Sequence, residues 1–205
     1  MRLTWVTIVW TPKKVPLLSQ FRAAPNLLTL TRLFIIPFLV IAILDGHYRT
    51  AFALFLLAGI SDALDGLLAR MLSQKTTLGQ YLDPIADKLL LSTLFVVLTH
   101  VGLIPQYVTV LVFSRDVGIL LISMLLFATN ALRDFRPSFF GKLNTLAQIV
   151  TLIVVLCQKV FISIDLSALR DGLLRAIAVL APLSAAQYAW IVIRRINTPP
   201  AETVV

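Results

Sequence analysis

Apolar residues in this chain do not alternate with polar ones. They gather in six long runs, at about 27–44, 51–68, 85–103, 104–129, 143–162 and 173–193. A helix needs roughly 20 such residues to cross the hydrocarbon of a bilayer, and each run approaches or exceeds that length. A transmembrane barrel would instead show alternating segments of about ten residues. The expected fold is therefore all-α, a polytopic membrane protein with about six transmembrane helices. Residues 1–24 are mixed and are broken by Pro12 and Pro16, which predicts an interfacial or mobile lead-in. The short apolar stretch 5–10 precedes no small-residue cleavage site and does not read as a cleaved signal peptide. Residues 25–196 are expected to form one membrane domain. The tail 197–205, with Pro199 and Pro200, is expected to be disordered. No repeat of 20–50 residues is visible.

Composition strengthens the membrane reading. Of 205 residues, 59% are hydrophobic and 14% charged, with mean hydropathy +0.91. Soluble domains average about 45–50% apolar and about 25% charged. The net charge of +8 is carried by residues that flank the apolar runs. Anionic headgroups and membrane orientation account for such a pattern, and no aromatic–basic groove points to nucleic acid. Cys157 is the one cysteine, so no internal disulfide forms, and it reads as a small hydrophobe. His47 and His100 stand apart near run ends, so no zinc site is expected.

Lysine and arginine favour the cytoplasmic side of a membrane protein. With a cytoplasmic N-terminus, twelve of the eighteen fall on that side. Arg49, Lys159, Arg170 and Arg175 fall on the other, and Lys88 and Arg115 lie within spans. Both termini, and the connections after the second and fourth runs, are therefore expected to be cytoplasmic.

The chemistry concentrates in residues 61–88, SDALDGLLARMLSQKTTLGQYLDPIADK. Four aspartates fall in two pairs, Asp62/Asp65 and Asp83/Asp87, whose spacings of three and four place each pair on one helix face. The first pair is expected near the cytoplasmic end of the second helix and the second near the start of the third. There Asp83 would cap the helix and Pro84 would occupy its first turn. A carboxylate at membrane depth costs a few kcal/mol or more unless it is paired, hydrated or ligated. Arg70 and Lys88 cannot neutralise all four acids. Hard divalent cations can, and two ions would also clamp a pyrophosphate. Gly66 would let a ligand approach the helix backbone, with small Ala69 nearby and Gly79 in the connection. Arg70 can donate a bidentate pair of bonds to phosphate. The bland alternative is two capped helix ends with solvated acids and basic anchors.

The pattern Asp62-x2-Asp65-Gly66-x2-Ala69-Arg70-x8-Gly79-x3-Asp83-x3-Asp87 resembles, position for position, the motif of the CDP-alcohol phosphotransferase family. The segments Pro25-Asn26-Leu27-Leu28-Thr29-Leu30-Thr31-Arg32 and Asp83-Pro84-Ile85-Ala86-Asp87-Lys88 are similar to members that make phosphatidylglycerol phosphate or cardiolipin. The resemblance implies that Asp62, Asp65, Asp83 and Asp87 hold two divalent ions, Mg2+ or Mn2+, against the pyrophosphate of CDP-diacylglycerol. It also implies that Asp87 takes the proton of the acceptor hydroxyl. Cytidine would lie near Gly66, Ala69 and Gly79, with Asn26 and Thr29 as further candidates. The implied setting is the cell inner membrane, with the site on its cytoplasmic side and the protein a homodimer.

The second cytoplasmic side offers an acceptor pocket in Arg115, Arg133, Arg136 and Lys142. Arg115, inside a span, needs either Asp116 or a bound anion. Lys142 is an acceptor ligand or a snorkelling anchor. Arg133 and Arg136 serve the site or only the orientation. Basic residues here suit an acceptor with its own phosphate. Glycerol 3-phosphate comes first, as the acceptor of the commoner bacterial member, and phosphatidylglycerol is the alternative. Arg115-Asp116 and Lys142-Leu143-Asn144-Thr145 stand where glycerol 3-phosphate enzymes commonly carry Arg-Glu and Lys-x-Lys-Thr, and in this they resemble eukaryotic-type cardiolipin synthases. A cation-coupled transporter is the reading from a different class. Its broken helices or inverted repeats are not evident.

Overall fold

The computed structural model describes the backbone of residues 24–71, 77–128, 139–161 and 163–197, and the side chains of 29–64, 85–122, 139–161 and 163–194. The described residues form six helices: α1 (Ala24–Leu44), α2 (Tyr48–Met71), α3 (Thr77–His100), α4 (Gln106–Ala128), α5 (Phe139–Val160) and α6 (Ser167–Asn197). The expected all-helical class and the order of the six runs are both found. The expected lead-in lies almost wholly outside the described residues, as does the tail beyond Asn197.

Short connections join α1 to α2, α3 to α4 and α5 to α6, and the helices of each pair pack on one another. Two of these turns share one mechanism. After α1, Gly46 adopts φ 73°, with Gly46 N bonded to Ile43 O at 3.1 Å and His47 N to Ala42 O at 2.8 Å. After α3, Gly102 adopts φ 75°, with Gly102 N bonded to Thr99 O at 3.0 Å and Leu103 N to Leu98 O at 2.8 Å. Both are Schellman caps, where glycine takes the left-handed conformation that a side chain would strain. At the same end, Asp165 accepts a bond from Ser167 N at 3.0 Å and so caps α6. The side chain and backbone of Ser167 hold the Asp165 carboxyl below its usual range.

α1 packs on α2 and α3, α5 packs on α2 and α6, and α4 bridges α3 and α6. Leu39 and Ile43 of α1, Leu94, Phe95 and Leu98 of α3, Leu152 and Leu156 of α5 and Ile177 of α6 form one buried core. The outside is apolar too: Phe34, Ile60, Val110, Leu121 and Trp190 are all well exposed. An exterior this rich in large apolar side chains is unusual for a water-soluble monomer. Among the described residues, Phe139–Val160 and Ser167–Arg194 are long and apolar enough to cross a membrane, and Thr29–Leu44 is a shorter apolar helix.

The structure corrects the reading around the second connection. α2 runs on to Met71 and α3 begins at Thr77, so Gly79, Asp83 and Pro84 lie in helix. Asp83 is therefore not a cap, and Pro84 is the eighth residue of α3 rather than part of its first turn. The apolar runs are shorter than the helices, which continue into polar sequence. Asp62 thus lies nine residues before the end of α2 and Asp87 ten residues after the start of α3. At 1.5 Å per residue, the acids sit roughly 15 Å inside the helix ends.

Candidate active site

Arg32 organises the site. It projects from α1 with its side chain 1% exposed, although it lies in an apolar run. Its Nη2 donates to Asp62 Oδ1 of α2 at 2.7 Å, and its Nη1 donates to Asp87 Oδ1 of α3. One guanidinium thereby joins three helices and brings together two acids that are 25 positions apart in sequence. The acids themselves stay open, with Asp62 52% and Asp87 45% exposed. They face a cleft of about 120 Å³ whose lining also includes Phe55, Ala58, Gly59, Leu90 and Leu91. Thr145 and Ile149 of α5 close it. Beside Gly59 there is open space, since an added Cβ would meet nothing within 4 Å. Thr29, one turn before Arg32, is fully buried.

Asp65, Gly66, Ala69 and Arg70 occupy α2, and Gly79 and Asp83 occupy α3, by their backbones. Their side chains, and that of Asn26 on α1, lie outside the described residues. Among the described residues Asp62 and Asp87 are the two carboxylates at the cleft. The half-exposed carboxylates of Asp62 and Asp87 present oxygen donors of the kind hard divalent cations take. They are two of the four aspartates expected to hold the metal, and the described residues alone contain no group of three or more His, Cys, Asp or Glu side chains that could hold an ion.

A second polar cluster lies on the neighbouring face of α3. Lys88, next to Asp87 in the chain, reaches Asp116 of α4, with Nζ 3.0 Å from both carboxylate oxygens. Arg115 donates from Nη1 to Asp116 Oδ1 at 2.5 Å, and from Nε and Nη2 to Ser184 Oγ of α6 at 3.0 and 2.8 Å. Arg115 and Asp116 are buried and Lys88 is one-third exposed. Of the two partners considered for Arg115, the structure provides Asp116, and it adds Ser184. Among the described residues, two cations and one carboxylate give this mostly buried cluster one net positive charge. Lys142 lies exposed on the first turns of α5, and Arg133 and Arg136 lie outside the described residues.

α5 supplies a third feature. Asn144 and Gln148 are fully buried, and neither the nitrogen nor the oxygen of either amide meets a hydrogen-bond partner. Their neighbours are satisfied locally, Thr145 Oγ1 by Gly141 O at 3.1 Å and Thr151 Oγ1 by Ala147 O at 2.7 Å. A buried amide without a partner costs free energy and calls for an explanation. Each of these two precedes by one position a residue that lines the cleft, Thr145 or Ile149.

Sequence reasoning missed Arg32, Ser184, Asn144 and Gln148 as site residues. Counting Arg32 among the cytoplasmic charges overlooks that an arginine inside an apolar run is itself a signal, because it requires an anionic partner. Asn144 and Gln148, four apart in an apolar run, were a similar signal in uncharged residues.

Comparison with known proteins matches this arrangement to one family. Residues 22–193 match the model of the CDP-alcohol phosphatidyltransferase family. The chain is 36% identical to a rat protein named cardiolipin synthase (CMP-forming), over 67% of this chain and 51% of that one. It is 32% identical to the CDP-diacylglycerol–glycerol-3-phosphate 3-phosphatidyltransferase of Aquifex aeolicus, over 71% of this chain and 80% of that protein. The corresponding figures for the enzyme of that name in Bacillus subtilis are 30%, 66% and 77%. The chain spans about half the length of the cardiolipin synthases it matches. A match over residues 22–193 covers all six helices but the last residues of α6, and on that ground the chain belongs to the CDP-alcohol phosphatidyltransferase family.

Proposed function

We propose that the protein makes phospholipid by transferring the phosphatidyl group of CDP-diacylglycerol to the hydroxyl of a glycerol-type acceptor, releasing CMP. The observation that carries this reading is the clasp of Arg32 on Asp62 and Asp87 at the edge of a cleft among apolar helices. Asp62, Asp65, Asp83 and Asp87 would hold divalent cations, which when bound neutralise charge on the pyrophosphate. Arg32 sets the orientation of Asp62 and Asp87. Asp87 accepts the proton of the acceptor hydroxyl. The freed oxygen forms a bond to the lipid-linked phosphorus as the bond from that phosphorus to the bridging oxygen breaks, and CMP carries the electron pair away. Arg70 binds phosphate, and Gly66, Ala69, Gly79, Asn26 and Thr29 accept the nucleotide.

The setting belongs to the same proposal. Residues 25–196 form one domain of six membrane spans, with both termini cytoplasmic in the cell inner membrane and the protein a homodimer. The apolar exterior supports the spans, the distribution of lysine and arginine supports the cytoplasmic termini, and the homodimer rests on the family alone.

Glycerol 3-phosphate is the first acceptor to test, and the names of the Aquifex and Bacillus relatives support it. A specific observation favours a second reading, phosphatidylglycerol. The neutral amides of Asn144 and Gln148 are buried without partners one position before the cleft-lining Thr145 and Ile149, while Arg115 already holds Asp116 and Ser184. Neutral amides suit the paired hydroxyls of a glycerol headgroup better than a phosphate dianion. Lys142, Arg133 and Arg136 serve the acceptor's phosphate in either case.

The test is CMP release by purified protein in detergent, with CDP-diacylglycerol, Mg2+ and each acceptor in turn. Release with glycerol 3-phosphate gives phosphatidylglycerol phosphate, and release with phosphatidylglycerol gives cardiolipin. Folded protein that releases no CMP with either acceptor overturns the proposal.

A further inference from the structure

At the end of the bundle away from the aspartates lies a larger cavity, of about 660 Å³. It falls within the roughly 300–1,000 Å³ typical of small-molecule sites. The start of α2, the end of α5 and the start of α6 bring Tyr48, Gln158, Lys159, Asp165 and Arg170 into its wall. Its floor includes apolar Leu103 and Val155. None of these residues takes part in the transfer step proposed above.

The cationic groups in this wall are only partly compensated. Lys159 holds its ammonium 5.9 Å from the centre of the Tyr48 ring, and among the described residues it has no carboxylate partner. Arg170 directs Nε and Nη2 to Asp171, each at 2.9 Å, and so spends one edge of its guanidinium on that carboxylate. Asp165 is engaged chiefly by Ser167 in the first turn of α6 and more weakly by the charge of Arg170, which leaves Lys159 as the cation of this wall without a carboxylate among the described residues. Lysine and arginine are also scarce at this end, so orientation does not account for a lysine placed in a cavity wall.

The rim shows where an anionic ligand would come from. Phe161, Ile164 and Leu169 are each about half exposed in and beside the connection from α5 to α6. Large apolar side chains on a short loop at the end of two membrane-length helices belong at the boundary of headgroups and acyl chains. A pocket for a phosphate ion from solution gains nothing from such a rim, whereas a phospholipid brings its own apolar part to cover it.

We propose that this cavity binds the phosphodiester headgroup of an anionic phospholipid from the leaflet opposite the aspartates, with Lys159 and Arg170 as its cationic contacts and its glycerol–acyl region against Phe161 and Ile164. The site rests on the reading that the helices span a membrane, but not on the acceptor or on the transfer chemistry.

Purified protein would be given phosphatidylmethanol, a monoanionic lipid without an acceptor hydroxyl, or phosphatidylcholine. Retained lipid would be counted by native mass spectrometry, with melting followed in parallel. Inorganic phosphate and dimethyl phosphate form the soluble arms. Wild-type protein should retain phosphatidylmethanol in preference to phosphatidylcholine, and Lys159→Ala with Arg170→Gln should reduce that retention about tenfold. Lys159→Glu should reduce it further, and Asp62→Asn should leave it unchanged. The double variant should melt like wild type without lipid and should still release CMP. Equal retention by wild type and double variant would overturn the site. Equal stabilisation by inorganic phosphate would overturn its assignment to lipid. A raised Mg2+ requirement for CMP release in Asp62→Asn with lipid retention intact separates this proposal from the catalytic one.

Discussion

Arg32 Nη2 lies 2.7 Å from Asp62 Oδ1, and the same guanidinium donates to Asp87, so one buried arginine of α1 fixes an acid on each of two other helices. Lysine cannot copy this, because a point charge does not present two donors in a fixed fork. Arg32→Lys should therefore fold but lose most activity, about 10–100-fold, as the two acids lose their common orientation. Arg32→Met should also lose stability, since charge-assisted bonds are worth about 1.5–3 kcal/mol each and the two carboxylates would then repel. The CMP-release rate and the detergent melting curve read the two effects separately. Unchanged rates in Arg32→Lys would show that the clasp is only structural.

Asp87→Asn keeps the shape of the side chain but cannot accept a proton. CMP release should fall by about 10²–10⁴-fold while protein level and melting stay near wild type. Asp62→Asn should instead raise the Mg2+ concentration needed for half-maximal rate, because it removes an anionic oxygen donor. EDTA should abolish the activity of the wild type, and added Mg2+ should restore it. Titration of each variant with Mg2+ distinguishes the two roles.

The helical class, the order of the elements and the pairing of the acids were legible because they depend on period and spacing. Apolar runs report burial or lipid, and Asp62 and Asp87 stood out as charges where charge is costly. What did not show was partnership across helices. Nothing local to Arg32 reveals that it reaches Asp62 rather than the membrane surface, and Ser184 is an ordinary residue until α6 brings it to Arg115. Helix ends also hid, because α2 and α3 continue past the apolar runs into sequence that reads as a connection.

Asp116 holds Lys88 and Arg115 together, at 3.0 and 2.5 Å. Asp116→Asn would leave Arg115 buried without its counter-charge. Removing one partner of a buried ion pair costs about 3–5 kcal/mol. The lower end is expected here, because Lys88 is one-third exposed and can reach water. Ser184→Ala should cost less, about 1–3 kcal/mol, because Arg115 keeps its charge partner and loses only a neutral acceptor. Chemical denaturation of both variants in detergent measures the order. If Ser184→Ala proves the costlier, the carboxylate is not the main support of this cluster.

Asn144 and Gln148 provide a test that separates function from packing. Each is fully buried with no partner for its amide, so the folded protein carries an unmet cost. Leucine and methionine are close to them in size and have nothing to satisfy. If the amides have no task, Asn144→Leu with Gln148→Met should stabilise the protein, by about 1–3 kcal/mol, and leave catalysis alone. If they await the hydroxyls of the acceptor, the same variant should again be more stable, but its KM for the acceptor should rise about tenfold or more, since a site built to bond a hydroxyl discriminates strongly through that bond. The KM for CDP-diacylglycerol should stay where it is. The combination of higher stability and weaker acceptor binding is expected, because a structural residue would lose stability on replacement and an idle one would leave the KM unchanged.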